Sequence, residues 1–143
     1  MFLETLQRAK DKYSFRIINM CVMDNHFHLM IEPARGESLS KIMQWILSVF
    51  AQQFNRAYSL QGHVWYDRFK RRIVASLRQF MATFGYIDEN PVRAELVARS
   101  VDYPYGGLAL IRAGPRRLVD RPSQLVELLF PAFRPPALTA PGQ

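Results

Sequence analysis

Apolar Phe2, Leu3, Leu6 and Ala9 recur at helical spacing among Glu4, Arg8, Lys10 and Lys12, which predicts a short amphipathic helix from Phe2 to about Lys12. The pattern then changes period. Tyr13 to Met23 is rich in aromatic and β-branched residues, Asp24-Asn25 is a turn dipeptide, and His26 to Glu32 is apolar and β-prone, so a hairpin is expected. After a loop over Pro33 to Glu37, Leu39, Ile42, Met43, Ile46, Val49, Phe50 and Phe54 mark one buried face of a helix from Ser38 to Tyr58. Ser59 to Asp67 reads as a loop, and Arg71 to Ser76, with Ile73 and Val74, as a short strand.

A further helix is predicted from Leu77, with Phe80, Met81, Phe84 and Ile87 on its buried side and Tyr86 and Asn90 on another stripe. It is expected to end by Asn90, because a proline restricts the residue before it, with Pro91 opening one or two more turns over Val92 to Ala98. Tyr103 to Gly107 reads as a turn and Leu125 to Phe130 as a short helix, and the four prolines from Pro131 to Gln143 predict a frayed tail. The expected organisation is one main domain over residues 1–112 with a partly disordered C-terminal extension over 113–143.

Composition adds a class of partner. Nineteen Lys and Arg against twelve Asp and Glu give a net charge of +7 and an isoelectric point near 10.0, which favours polyanions, nucleic acid first among them, over the plain alternative of unspecific basicity. With 49% apolar residues the chain can build a core, and no apolar stretch approaches the ~18 residues of a membrane span, so no membrane partner is expected. A single cysteine, Cys21, excludes an intramolecular disulfide and fits a reducing compartment, the cytoplasm by default.

His26 and His28, two residues apart on a predicted strand, should project from one face and offer two parallel imidazoles to a divalent metal. The ordinary alternative is two partly exposed histidines with routine hydrogen bonds. The amide oxygen of Asn90 is a candidate third ligand for Mg²⁺ or Mn²⁺, with Asp88 and Glu89 as charged reserves, while Cys21 joining the histidines on zinc is a weaker option. Tyr86 lies one helical turn before Asn90. A phenol with a pKa near ~10 is a poor nucleophile at neutral pH until a metal polarises its target or a base takes its proton. The run Gly62 to Arg72 interleaves Trp65, Tyr66 and Phe69 with Arg68, Lys70, Arg71 and Arg72. That pattern suits unpaired bases and phosphates, and equally a solvated basic loop anchored in the core. Arg93 and Arg99 extend the same charge.

Taken in order, the segments Cys21 to Pro33, Leu39 to Gln44, Gly62 to Trp65 with Arg68-Phe69-Lys70, and Tyr86-Ile87 with Asn90 to Ala94 and Leu96-Val97 resemble the single-tyrosine HUH transposases, especially the REP-associated tyrosine transposases. The resemblance runs over roughly residues 5 to 105. It implies an α+β, ferredoxin-like fold, an antiparallel sheet with helices on one face. It implies His26, His28 and Asn90 as ligands of Mg²⁺ or Mn²⁺, and Tyr86 as a nucleophile that becomes linked to a DNA 5′ phosphate.

The implied activity is cleavage and rejoining of single-stranded or hairpin DNA without a nucleotide cofactor, in a chain acting alone or as a homodimer. Trp65, Arg68, Lys70, Arg71, Arg72 and Arg93 are the expected DNA contacts. Relatives carry a strand before the opening helix, whereas Met1 here starts at that helix, so the sheet is expected to lack its first strand. Tyr103 to Gly107 also stands where relatives have an aromatic-serine block. The rival readings are a transposase-derived DNA-binding protein without turnover and a metal-dependent nuclease that uses water instead of Tyr86.

Overall fold

A computed structural model of the chain describes residues 1–24, 26–62, 71–112 and 118–134. They belong to two compact units, Met1–Arg16 with Ile31–Ala75, and Ile17–Met30 with Ser76–Gln143. The elements are of the α+β class. Strands β1 (Phe15–Val22) and β2 (Phe27–Pro33) form a two-stranded antiparallel sheet, and the helices follow in the order expected of a partial ferredoxin-like fold. The Met23 amide donates to the His26 carbonyl at 2.8 Å and closes the hairpin.

In the first unit, helix α1 (Phe2–Lys12) packs on α2 (Leu39–Ala57), because Phe2, Leu6 and Ala9 of one and Ile42, Met43 and Ile46 of the other are buried. Phe2 meets Phe50 edge-on at 5.3 Å, and Thr5 Oγ1 donates to Gln53 Oε1 at 3.3 Å, so a buried hydroxyl between the helices is satisfied. Ser38 caps α2 by accepting from the Lys41 amide at 3.3 Å. The expected strand at Arg71 to Ser76 does not form. Among the described residues the sheet has only β1 and β2, Ile73 is 80% exposed, and Arg71 donates to Ser40 instead. A β-branched pair without a neighbouring strand has nothing to pair its backbone with.

The second unit is organised around Phe84 of α3 (Leu77–Arg93), whose ring lies 4.4 Å from Phe130 and 4.7 Å from Phe133. These two phenylalanines follow α5 (Gln124–Leu129), and Pro131–Phe133 is a 3-10 turn that buries Phe133, at the point where fraying was expected to begin. On β1, the Ile17 amide donates to Asp120 Oδ2 at 2.8 Å and the Ile17 carbonyl accepts from the Asp120 amide at 3.0 Å. Cys21 bridges to Gly106, and the Val22 amide donates to the Tyr105 carbonyl at 3.0 Å. The Tyr103 to Gly107 turn therefore also serves as a short sheet partner, and it leads into a further short helix, α4 (Gly107–Arg112), beyond those the apolar spacing predicts.

Helix α3 runs through Pro91 to Arg93, past the end expected at Asn90 and without a separate helix opening at Pro91. Proline removes only one amide donor, and Pro91 falls in the final turn. There the chain is held by Leu96 N to Pro91 O and Glu95 N to Val92 O, both 3.0 Å, with Glu95 at φ 59°. This is a Schellman-type ending. Val92 to Ala98 is consequently the last turn of α3 and a turn beyond it. No helix among the described residues is long and apolar enough to cross a membrane.

Candidate active site

Three contacts set the position of α3 in its unit. Ser76 caps its start by accepting from the Gln79 amide at 3.2 Å. Phe84 and Ile87 are buried. Asn19, in the middle of β1 and fully buried, donates from Nδ2 to the Phe84 carbonyl at 3.2 Å while its Oδ1 accepts from the Met20 amide at 2.9 Å. Gly107 lies so close to Asn19 that an added Cβ would collide with Oδ1. Neither Asn19 nor Gly107 was singled out from the sequence. The available signal was a carboxamide inside the apolar run Ile17-Ile18-Asn19-Met20-Cys21, which only a buried partner explains.

With α3 so placed, Tyr86 reaches the hairpin. Its ring is 5.6 Å from that of His28, nearly perpendicular to it, and the residue is 45% exposed. The His26 and His28 rings are 5.2 Å apart at 84°, edge to face instead of parallel. The cause is that His26 precedes β2 in the connecting turn, while His28 lies within the strand. Burial, and secondarily the charge of His26, lowers the pKa of His28, which favours the neutral imidazole that binds metals.

Asn90, one turn along α3 from Tyr86, is 8% exposed. The two charged reserves are engaged elsewhere. Asp88 is hydrogen-bonded to Ser100, and burial raises its pKa despite that bond. Glu89 pairs with Arg93 at 3.7 Å. Cys21 is fully buried, and burial followed by the nearby Asp88 raises its thiol to about 11. Among the described residues no third His, Cys, Asp or Glu joins the two histidines, so the zinc arrangement with Cys21 is not formed. Two imidazoles with one carboxamide oxygen would be a mixed N/O donor set, the amide oxygen suiting a hard ion such as Mg²⁺ or Mn²⁺ and the imidazoles a transition metal.

The Arg93 guanidinium lies over the Tyr86 ring, 5.2 Å from its centroid. Arg71 and Arg72 are exposed in the other unit, and Arg99 is bound by Asp102 at 3.1 Å. Trp65, Arg68 and Lys70 lie outside the described residues.

Comparison with known proteins identifies the family. The family described as Transposase IS200 like matches residues 1–90. A Haemophilus influenzae protein named as a REP-associated tyrosine transposase is 21% identical over 114 residues, which cover 73% of this chain and 65% of that one. The chain thus spans about 65% of the length of the curated relative it matches. No solved structure matches. With the family matched from Met1 through Asn90, more than half of its length, the chain belongs to the IS200-like transposases.

Proposed function

We propose that the chain is a metal-assisted transposase of single-stranded DNA that cleaves and rejoins a strand through Tyr86. The observation that carries this reading is the contact between the Tyr86 and His28 rings inside one compact unit. A half-exposed phenol is set against an imidazole whose burial favours the metal-binding form. Both rings belong to one chain, so the reading does not require a homodimer.

In the proposed reaction the Tyr86 oxygen attacks a DNA phosphorus in line. The P–O bond to the 3′ carbon's oxygen breaks as the phenolic P–O bond forms, the phenol loses its proton to solvent, and the departing 3′ oxygen gains one. Rejoining is the same exchange in reverse. His26, His28 and Asn90 would hold Mg²⁺ or Mn²⁺, which when bound withdraws charge from the scissile phosphate. Asn19 ties α3 to β1 through the Phe84 carbonyl, two residues before Tyr86, and Arg93, beside Tyr86, would supply positive charge for the DNA backbone.

The test is incubation with labelled single strands taken from the DNA flanking the gene, with Mn²⁺. A protein–DNA adduct that survives denaturation is expected, and it should be lost in Tyr86→Phe while DNA binding persists. Cleavage without an adduct would support a water-using nuclease, and binding without cleavage would support a non-catalytic DNA-binding protein.

A further inference from the structure

Because α3 continues through Pro91, Arg93 lies two helical turns beyond Tyr86, almost in line with it along the helix. Its side chain reaches back toward the helix start, the direction helical side chains favour, and its guanidinium carbon sits 5.2 Å from the centre of the Tyr86 ring. Glu89, between them in sequence and one helical turn before Arg93, pairs with a terminal guanidinium nitrogen at 3.7 Å. The ring is therefore held by two neighbours, the His28 imidazole at 5.6 Å and the Arg93 guanidinium, although Tyr86 is 45% exposed and has solvent to turn into.

We propose that Arg93 is a positioning residue for Tyr86, stacking on the phenol to keep it beside His28 and ready for attack, with Glu89 orienting the guanidinium. This rests on the reading of Tyr86 as the nucleophile. A planar guanidinium suits the role better than an ammonium because it can lie flat on a ring face while its edge meets a carboxylate. The Glu89–Arg93 pair is exposed on both sides and hence weak, so it can yield to a DNA phosphate without the ring contact being lost. The same guanidinium would then face both the nucleophile and the strand to be cut.

A plain backbone clamp or a helix-end charge would not need the ring contact, and the experiment separates these roles. Adduct formation is followed in single turnovers with Mn²⁺ and saturating flanking single strands, and affinity for the same strands is measured separately. Arg93→Gln is expected to slow the saturated rate about two- to fivefold, the scale of losing one exposed cation–π contact, with a smaller change in affinity. Arg93→Lys should recover part of the rate, and Glu89→Gln should cost less than Arg93→Gln. A saturated rate unchanged in Arg93→Gln, with only weaker binding, would overturn the proposal.

A second readout uses no DNA and no metal. With ¹³C-labelled tyrosine, the Tyr86 ring signal, assigned by its loss in Tyr86→Phe, should move in Arg93→Gln and move less in Arg93→Lys. An unmoved ring signal would equally overturn the proposal. If the wild-type protein forms no adduct at all, the reading of Tyr86 as nucleophile fails, and the ring signal still reports whether Arg93 holds the phenol.

Discussion

The side-chain amide of Asn19 on β1 donates to the main-chain carbonyl of Phe84 on α3 at 3.2 Å, two residues before Tyr86. A fully buried amide in a strand core is tolerated because both its ends are bonded. Asn19→Ala strands the Met20 amide in the interior and should cost about 1–3 kcal/mol in urea unfolding. Gly107→Ala pushes a methyl group onto Asn19 and should cost a similar ~1–3 kcal/mol by overpacking. In the double variant the collision has no partner, so its loss should be smaller than the sum of the two single losses. Strict additivity would show that the two positions do not share this contact.

Cys21 gives the protein a specific response to alkaline pH. Its folded thiol is raised to about 11 from an ordinary 9.0, by burial first and by the Asp88 carboxylate second. The unfolded chain releases that proton at lower pH than the folded one, so stability is complete below about 9.0 and falls as pH rises toward about 11. The native protein should resist thiol alkylation at neutral pH, and Cys21→Ala should flatten the alkaline limb of the stability profile. Rapid native alkylation would show an accessible thiolate.

The sequence disclosed the elements whose periodicity and caps agree. Helix α1 and the start of α3 fall where the apolar spacing put them, and Ser38 and Ser76 cap as short hydroxyl residues before such runs do. It also marked His26, His28 and Tyr86 as residues to look for together, and the fold sets the His28 and Tyr86 rings 5.6 Å apart. What it concealed depends on tertiary contact. The strand expected at Ile73-Val74 had propensity but no partner, and the break expected at Pro91 was a local rule overridden by a buried helix end. The roles of Asn19 and Gly107 appear only when β1, α3 and α4 are assembled.

The end of α3 carries a local strain that substitution can relieve. Glu95 adopts φ 59°, a left-handed conformation that costs a residue with a Cβ roughly 1–2 kcal/mol relative to glycine. Glu95→Gly keeps both main-chain bonds of the helix ending and should raise stability by about 0.5–1 kcal/mol, after allowance for the greater freedom of glycine in the unfolded chain. A lowered melting temperature would mean that the Glu95 side chain itself contributes to the ending.

The metal assignment makes a demand independent of DNA. If His26, His28 and Asn90 are the ligands, Mn²⁺ measured directly by paramagnetic resonance should bind the wild-type protein and saturate at one ion per chain. Removing an imidazole deletes a bond to the ion, whereas Tyr86→Phe deletes only a hydroxyl from a ring that neighbours His28. His26→Ala with His28→Ala should therefore weaken Mn²⁺ by well over about tenfold, Asn90→Ala by at least about tenfold, and Tyr86→Phe hardly at all. Asn90 is buried, so its variant needs a parallel unfolding curve to show that α3 is intact. Undiminished Mn²⁺ affinity in the double histidine variant would remove the clamp, and with it the means by which a phenol reacts at neutral pH in this site.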